Sequence, residues 1–291
     1  MLATVDSPER KPHGVMRVTP DVCLSSNHMT MTPAATPWPR PPFAAQEQPH
    51  FLFIVTPPFS GSTAIAELLH SSAQIGFLQE RAEAQWLVPG LCADARWDAG
   101  MPVDYASVQA SWLARWQQLH AADSGLRVVV EKSPPNMVRL EPLVAQFNDV
   151  SLLANNRDPY ANCASILYRM HDGGQLSAAQ REQQLRVLAM HWLLRSARLI
   201  ELVSRLDIPL LTYEQFCDAP ASILGKLNLP RGVAETIDVQ TQVRVKDYPM
   251  QGIANQNQRQ IALLSETEVT TISTVLAQQQ ELLDYFSYEL R

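Results

Sequence analysis

Residues 60–63, Ser60, Gly61, Ser62 and Thr63, surround one glycine with hydroxyl side chains. This run follows the apolar segment FLFIV and precedes a segment whose apolar residues have helical spacing. A loop between a buried strand and a helix directs free backbone N–H groups and the positive end of the helix dipole at one point. Glycine allows close approach of a ligand to the backbone. The pattern predicts an anion-binding loop, with an ordinary strand-to-helix turn capped by Ser or Thr as the alternative.

The sequence of this loop differs from that of nucleotide triphosphatases. Their loop reads GxxxxGK[ST], in which the lysine contacts the terminal phosphates and the hydroxyl binds magnesium. Residues 56–63 read TPPFSGST, so the first glycine and the lysine are both missing. A nucleotide kinase or related phosphotransferase remains an alternative function, and the two missing residues count against it.

Basic residues end two further apolar segments. LRVVVEK ends at Lys132, and VSLLANNR ends at Arg157. Ser165 follows Arg157 by eight residues and lies about two turns into the next predicted helix. Because the carboxyl ends of parallel strands meet at one edge of a sheet, we expect these residues to share a site with the loop.

Together, the segments PFSGST, EKSPPNMVRL and NNRDPYANCAS resemble the sulfotransferases that use 3′-phosphoadenosine 5′-phosphosulfate as the sulfuryl donor. In that family a loop P-[RK]-S-G-[ST]-T holds the 5′-phosphosulfate, and an R-D-P segment with a serine eight residues after its arginine holds the 3′-phosphate. LLTYEQFCDAP also resembles the family's Y-E-x-[LF] strand end. The resemblance spans about residues 51–290 and implies a P-loop-like sulfotransferase fold. It also implies that residues 60–63, Arg157 and Ser165 bind the donor.

The catalytic residues follow from the same resemblance. Glu80 lies nineteen residues after Gly61, the spacing of the base in the tyrosylprotein-type branch, and Glu83 is the reserve candidate. A base of this kind removes the proton from the acceptor hydroxyl. Lys132 would stabilise the charge that develops during transfer. Exposed helix charges for both glutamates, and an ion pair between Lys132 and Glu131, are the structural alternatives.

One loop position departs from the family. Phe59 stands where the family usually has Arg or Lys, so either Lys132 supplies the missing charge or activity is weak. A catalytically weakened nucleotide-binding homologue is therefore a third possibility. The polar segment 243–260 resembles the late loop that closes over the nucleotide, which makes Lys246 and Arg259 weak donor-binding candidates, with a solvated loop as the alternative.

The order of apolar and helical patterns predicts the architecture. Strands alternating with helices imply a three-layer α/β fold with a mainly parallel sheet flanked by helices. The predicted strands are 51–55, 126–132, 150–157 and 208–214, and the predicted helices are 63–71, 158–169, 178–205 and 265–283.

Composition limits the domain organisation and the partners. Residues 1–49 hold nine of the 21 prolines and read as an extended or disordered tail, followed by one sulfotransferase-like domain over 50–291. The net charge of −6 opposes broad binding to nucleic acid.

Residue patterns further narrow the chemistry and location. The four cysteines show no metal-ligand or disulfide spacing, and no segment has the length of a membrane span, so we expect a cytoplasmic protein that requires no metal. The acceptor is expected to be a hydroxyl of a small molecule, glycan or peptide. Its pocket is predicted in segments 75–120 and 170–180, with Trp86, Trp97, Trp112 and Trp116 in the first.

Overall fold

A computed structural model describes residues 48–245 and 249–291. These residues form a four-stranded sheet in the order β2-β3-β1-β4, and every neighbouring pair is parallel. The strands are β1 (His50–Val55), β2 (Ile75–Gly76), β3 (Val128–Glu131) and β4 (Val150–Ala154). The central position of β1 places the loop that follows it between the ends of β3 and β4.

Helices connect and cover these strands, and short 3-10 helices fill several of the connections, above all between residues 80 and 97. The helices are α1 (Ser62–Leu69), α2 (Tyr105–Ala122), α3 (Leu140–Val144), α4 (Pro159–Met170), α5 (Ala178–Leu206), α6 (Tyr213–Asp218), α7 (Asn257–Ile261), α8 (Glu266–Leu276) and α9 (Gln280–Phe286). None of the helices in the described ranges is long and apolar enough to cross a membrane.

The sheet is buried on both faces. Phe51 and Phe53 of β1 pack into one hydrophobic cluster, and Leu52 and Ile54 pack into a second one. Because successive side chains of a strand point to opposite faces, the two clusters lie on the two sides of the sheet. The predicted three-layer α/β class with a parallel sheet is confirmed.

Local sequence signals set the start of α4 and α5, the two helices that follow β4 in the chain. The Asp158 side chain accepts a hydrogen bond from the Ala161 N–H and caps α4, with Pro159 as its first residue. Ser177 and Gln180 form a capping box at the start of α5. Both helices agree with their predicted ranges.

The structure differs from the prediction at the last of the four predicted strands, 208–214. In segment 208–214, Leu210 forms an isolated parallel bridge with Ala154. Ala154 is joined to this segment by two backbone hydrogen bonds, one to the Pro209 carbonyl and one from the Leu211 N–H. A longer ladder does not form, since Pro209 has no N–H to donate and Thr212 already caps α6. The predicted strand is therefore wrong as a regular element, although its backbone lies beside β4.

Two other differences concern element ends. The predicted helix 265–283 is divided into α8 and α9, because Gln279 has an extended φ of −144°. β4 ends at Ala154, so Arg157 stands three residues beyond the strand. The predicted N-terminal tail falls almost entirely on residues 1–47, and Lys246 on the gap 246–248, both outside the described residues.

Candidate active site

The loop between β1 and α1 holds an unusual backbone conformation. Phe59 has φ 63° and Gly61 has φ 88°, both in the left-handed region. A Cβ added to Gly61 would stand 2.2 Å from Cδ2 of Tyr213, so only glycine fits beneath this ring. Gly61 is also the N-cap of α1 and supplies no side-chain cap, which excludes the turn capped by Ser or Thr. The Ala64 N–H donates to the Gly61 carbonyl at 2.9 Å, whereas the N–H groups of Ser62 and Thr63 have no partner among the described residues and are left for a ligand.

The neighbouring strand end fixes this loop. The amide of Asn162 on α4 donates to the Pro58 carbonyl at 2.8 Å, and Nη1 of Arg157 donates to the Phe59 carbonyl at 3.2 Å. Ser60 is fully buried, and Ser62 and Thr63 are also buried. The loop is therefore held by α4 and by the segment that follows β4.

Arg157 has a donor that the described residues leave unused. Its Nε donates to Oδ1 of Asn257 at 2.8 Å, and its guanidinium lies 4.2 Å from the centre of the Tyr213 ring. Nη2 is buried and has no hydrogen-bond partner among the described residues. Burial lowers the pKa of Arg157, and the neighbouring Tyr213 and Glu214 oppose this shift. Because buried polar groups are normally paired, the free Nη2 favours an anionic ligand here.

Glu214 holds the surroundings of Arg157 in place. Its Oε1 accepts from Nδ2 of Asn257 at 2.6 Å and from the Asp158 N–H at 3.0 Å, and its Oε2 accepts from the Tyr288 hydroxyl at 2.9 Å. The glutamate of the Y-E pattern therefore supports the arginine through Asn257. Sequence reasoning pointed to segment 243–260 without naming Asn257, and it missed Tyr288, since no local pattern shows which side chain of a distant segment reaches Arg157.

Lys132 and Glu83 form an ion pair on the other side of the loop. Nζ of Lys132 lies 3.0 Å from Oε1 of Glu83, with side-chain exposures of 2% and 24%. Oε2 of Glu83 accepts from Nε1 of Trp86 at 3.2 Å and from Nε2 of Gln85 at 3.4 Å. Burial alone would raise the pKa of Glu83, but the charge of Lys132 and these hydrogen bonds outweigh it, and the pKa is lowered. Glu83 is thus a carboxylate at neutral pH.

Glu131 serves a different purpose from its neighbour. It is buried and accepts hydrogen bonds from the backbone of Ala84 at 2.7 Å and of Ser133 at 2.6 Å, and from the Asn136 amide at 3.0 Å. Burial raises the pKa of Glu131 to about 7. These bonds, together with the Lys132 N–H bonded to the Ala82 carbonyl at 2.8 Å, hold the segment that carries Glu83 against the end of β3. Lys132 therefore pairs with Glu83, and the alternative ion pair with Glu131 does not form.

The remaining predicted residues have different surroundings. Ser165 is buried on α4, whereas Glu80 and Arg259 are exposed. Trp112 and Trp116 are buried in the core on α2, so core packing accounts for them. The structure thus brings the loop, Lys132 and Arg157 to one edge of the sheet, and places Glu80 at the surface.

Comparison with known proteins shows which family has this arrangement. The family model described as "Sulfotransferase family" matches residues 49–228, which include the loop, Lys132 and Arg157. The chain belongs to the sulfotransferase family. This confirms the resemblance found in the sequence. The match and the parallel sheet flanked by helices agree on the P-loop-like sulfotransferase fold.

Solved structures similar to this sulfotransferase include three bacterial or biosynthetic examples. A sulfotransferase domain from the curacin biosynthetic pathway is 19% identical, with a TM-score of 0.48 and coverage of 84% of this chain and 100% of that one. A sulfotransferase from Alicyclobacillus acidocaldarius is 14% identical, with a TM-score of 0.49 and coverage of 84% and 97%. A sulfotransferase from Mycobacterium avium is 16% identical, with a TM-score of 0.47 and coverage of 85% and 79%.

No curated protein matches the chain at the level required of a relative. Within residues 48–245 and 249–291, no group of three or more His, Cys, Asp or Glu residues has the arrangement of a metal site.

Proposed function

We propose that the protein transfers a sulfuryl group from 3′-phosphoadenosine 5′-phosphosulfate to a hydroxyl group of an acceptor. The observation that carries this proposal is the sheet order β3-β1-β4, which sets the anion-binding loop between Lys132 and Arg157. A donor with phosphate groups at both ends needs two separate anion sites, and the loop and Arg157 supply them. The family match supports the same reaction class.

The residues present fit such a donor. The N–H groups at the start of α1, with Ser60, Ser62 and Thr63, would bind the 5′-phosphosulfate. The free Nη2 of Arg157 would bind the 3′-phosphate, and the hydroxyl of Ser165 on α4 would donate a second hydrogen bond to it. Gly61 allows the approach because a side chain at this position would meet the ring of Tyr213.

The reaction itself forms one oxygen–sulfur bond and breaks another. The acceptor oxygen bonds to sulfur, the bond from sulfur to the 5′-phosphate oxygen breaks, and adenosine 3′,5′-bisphosphate leaves. We assign the acceptor proton to the Glu83 carboxylate, because Glu83 forms the ion pair with Lys132, whereas the predicted base Glu80 is exposed at the start of the 3-10 helix that Glu83 follows. Lys132 would stabilise the charge that develops on the leaving oxygen and on the sulfuryl group.

Although Phe59 replaces the basic residue of the family loop, a cation is still present beside this loop. The loop uses the Phe59 carbonyl to accept from Arg157, and Lys132 stands at the adjacent strand end. In this arrangement Lys132 supplies the cation that the loop lacks. Replacement of Lys132 by Ala is expected to lower turnover by about 10²-fold or more, and activity within about threefold of wild type would remove this assignment.

Ligand binding tests the proposal first. Adenosine 3′,5′-bisphosphate without magnesium is expected to raise the unfolding temperature, while ATP with magnesium leaves it unchanged. Ligand at 100 times its dissociation constant adds about 2.7 kcal/mol to the free energy of unfolding. Stabilisation by ATP with magnesium alone would instead favour the phosphotransferase.

Transfer of labelled sulfuryl groups then separates an enzyme from a weakened homologue. The panel contains phenols, hydroxylated lipids, glycans and tyrosine peptides, and the matched control is the Arg157→Gln variant. Label on an acceptor with the wild-type chain, and loss of both binding and transfer in the variant, are expected. Binding without transfer to any acceptor would leave only the nucleotide-binding homologue.

A further inference from the structure

Arg195 on α5 keeps its guanidinium donors free at the same edge of the sheet. Two residues of α5 locate this edge: Nε1 of Trp192 donates to the Arg157 carbonyl at 3.0 Å, and Nε of Arg198 donates to the Met137 carbonyl at 3.2 Å. Arg195 lies between them along the helix. Its position is therefore beside the segments that follow both β4 and β3.

The surroundings of Arg195 are partly buried and aromatic. Its guanidinium lies 4.3 Å from the centre of the Trp97 ring, and the side chain is half-buried. No described residue forms an ion pair or hydrogen bond with it, whereas Lys132, Arg157 and Arg198 all have such partners. Stacking leaves the edge of the guanidinium and its N–H groups open to a ligand.

One histidine lies next to this arginine. His191 lies four residues before Arg195 and so on the same face of α5, and it is also half-buried. Burial, with the charges of Arg195 and His171, lowers the pKa of His191 to about 4. His191 is therefore neutral at pH 7, and Arg195 carries the charge. The segments 75–120 and 170–180, where the sequence predicts the acceptor pocket, thus meet α5 through Trp97 and His171.

A partly desolvated guanidinium without an acceptor group is a ready site for an oxyanion. We propose that Arg195, held on Trp97 and flanked by His191, binds a carboxylate or phosphate group of the acceptor, at a distance from the hydroxyl that is sulfated. This inference rests on the proposed sulfuryl transfer and adds the acceptor class: hydroxyl compounds that carry an oxyanion. A carboxylate or a phosphate fits the planar fork of arginine through two parallel hydrogen bonds.

Calorimetric titration tests the site with simple probes. The full chain is first saturated with adenosine 3′,5′-bisphosphate, so that the donor site is filled, and is then titrated with phenylacetate, phenyl phosphate or neutral phenylacetamide. At least one anion is expected to bind about tenfold or more tightly than phenylacetamide, and the comparison of the two anions identifies the preferred group. Equal binding of the anions and the amide, or no binding of either anion, would overturn the proposal.

Variants assign the binding to the residue. Arg195→Met keeps an unbranched chain on Trp97 and is expected to weaken anion binding by about tenfold or more. Arg186→Gln removes the same charge from an exposed position on α5 and should leave binding within about twofold. An unchanged affinity in Arg195→Met, with an unfolding temperature like that of wild type, would refute the site.

The outcome is separable from that of the proposed function. If adenosine 3′,5′-bisphosphate fails to bind, the donor assignment is wrong. In that case the anions are titrated into the Arg157→Gln variant and into the double variant that also carries Arg195→Met. Weaker anion binding by the double variant supports the oxyanion site, and equal binding rejects it. If the bisphosphate binds and the anions do not, the oxyanion site alone is rejected.

Discussion

Replacing Glu83 by Gln removes the charge that faces Lys132 and keeps an amide oxygen in its place. The Lys132 side chain is only 2% exposed, so its ammonium group would lose the carboxylate with which it forms an ion pair. Breaking a buried ion pair costs about 3–5 kcal/mol of stability. Because Glu83 is 24% exposed and the amide oxygen can still accept a hydrogen bond, we expect a smaller loss, about 1–3 kcal/mol.

The expected effect on catalysis is larger than that on folding. If Glu83 takes the acceptor proton, its loss lowers turnover by about 10²–10⁴-fold, which is about 3–5 kcal/mol in the activation barrier. The matched control is Glu80→Gln, which removes the same charge from an exposed position and should keep turnover within about threefold. The assay measures labelled sulfuryl transfer at saturating donor, divided by the folded fraction from urea unfolding.

The pH dependence distinguishes a base from a structural charge. The pKa of Glu83 is lowered, so its carboxylate contributes stability above its ordinary pKa of about 4.3 that is lost as pH falls through the lowered value. Transfer by the wild-type enzyme should decline in the same acid range, and this decline should be absent from Glu83→Gln. Full turnover in Glu83→Gln combined with its collapse in Glu80→Gln would refute our assignment and make Glu80 the base.

Three further predictions concern the loop, α5 and the support of the arginine. Gly61→Ala should destabilise the fold by about 2–4 kcal/mol and abolish bisphosphate binding, whereas Gly232→Ala, with φ 86° and no atom near the added Cβ, should cost about 1 kcal/mol in urea unfolding. The pKa of His191 in the folded chain is about 4, so the unfolded chain binds more protons between pH 4 and 6.5, and stability decreases as the pH is lowered through this range. His191→Gln should make this loss smaller by up to about 2 kcal/mol in thermal scans, since the ring is partly screened by solvent. Tyr288→Phe removes a hydrogen bond to Glu214 and should weaken bisphosphate binding by about three- to tenfold in calorimetry, with turnover at saturating donor unchanged; an effect on turnover alone would contradict a positioning role.

Some parts of the site could be predicted because their signals are local in the chain. The loop sequence SGST, the basic residues that end two of the apolar segments and the Asp-Pro helix start all lie within a few residues of the structure they encode. The parallel arrangement of the strands then follows from their alternation with helices. The predicted strand 208–214 was wrong because Pro209 has no N–H to donate and Thr212 caps α6, so the apolar run forms only one bridge with β4.

The sequence by itself determined the fold class and the family, since buried strands, helix caps and loop motifs depend on neighbouring residues. Only the tertiary structure decided which glutamate faces Lys132, since Glu80 and Glu83 differ by one 3-10 turn whose direction is set by Glu131 holding the Ala84 N–H. It also decided that Arg157 is supported from Asn257, across 100 residues. Contacts of this kind depend on how distant segments pack, and no spacing along the chain specifies them.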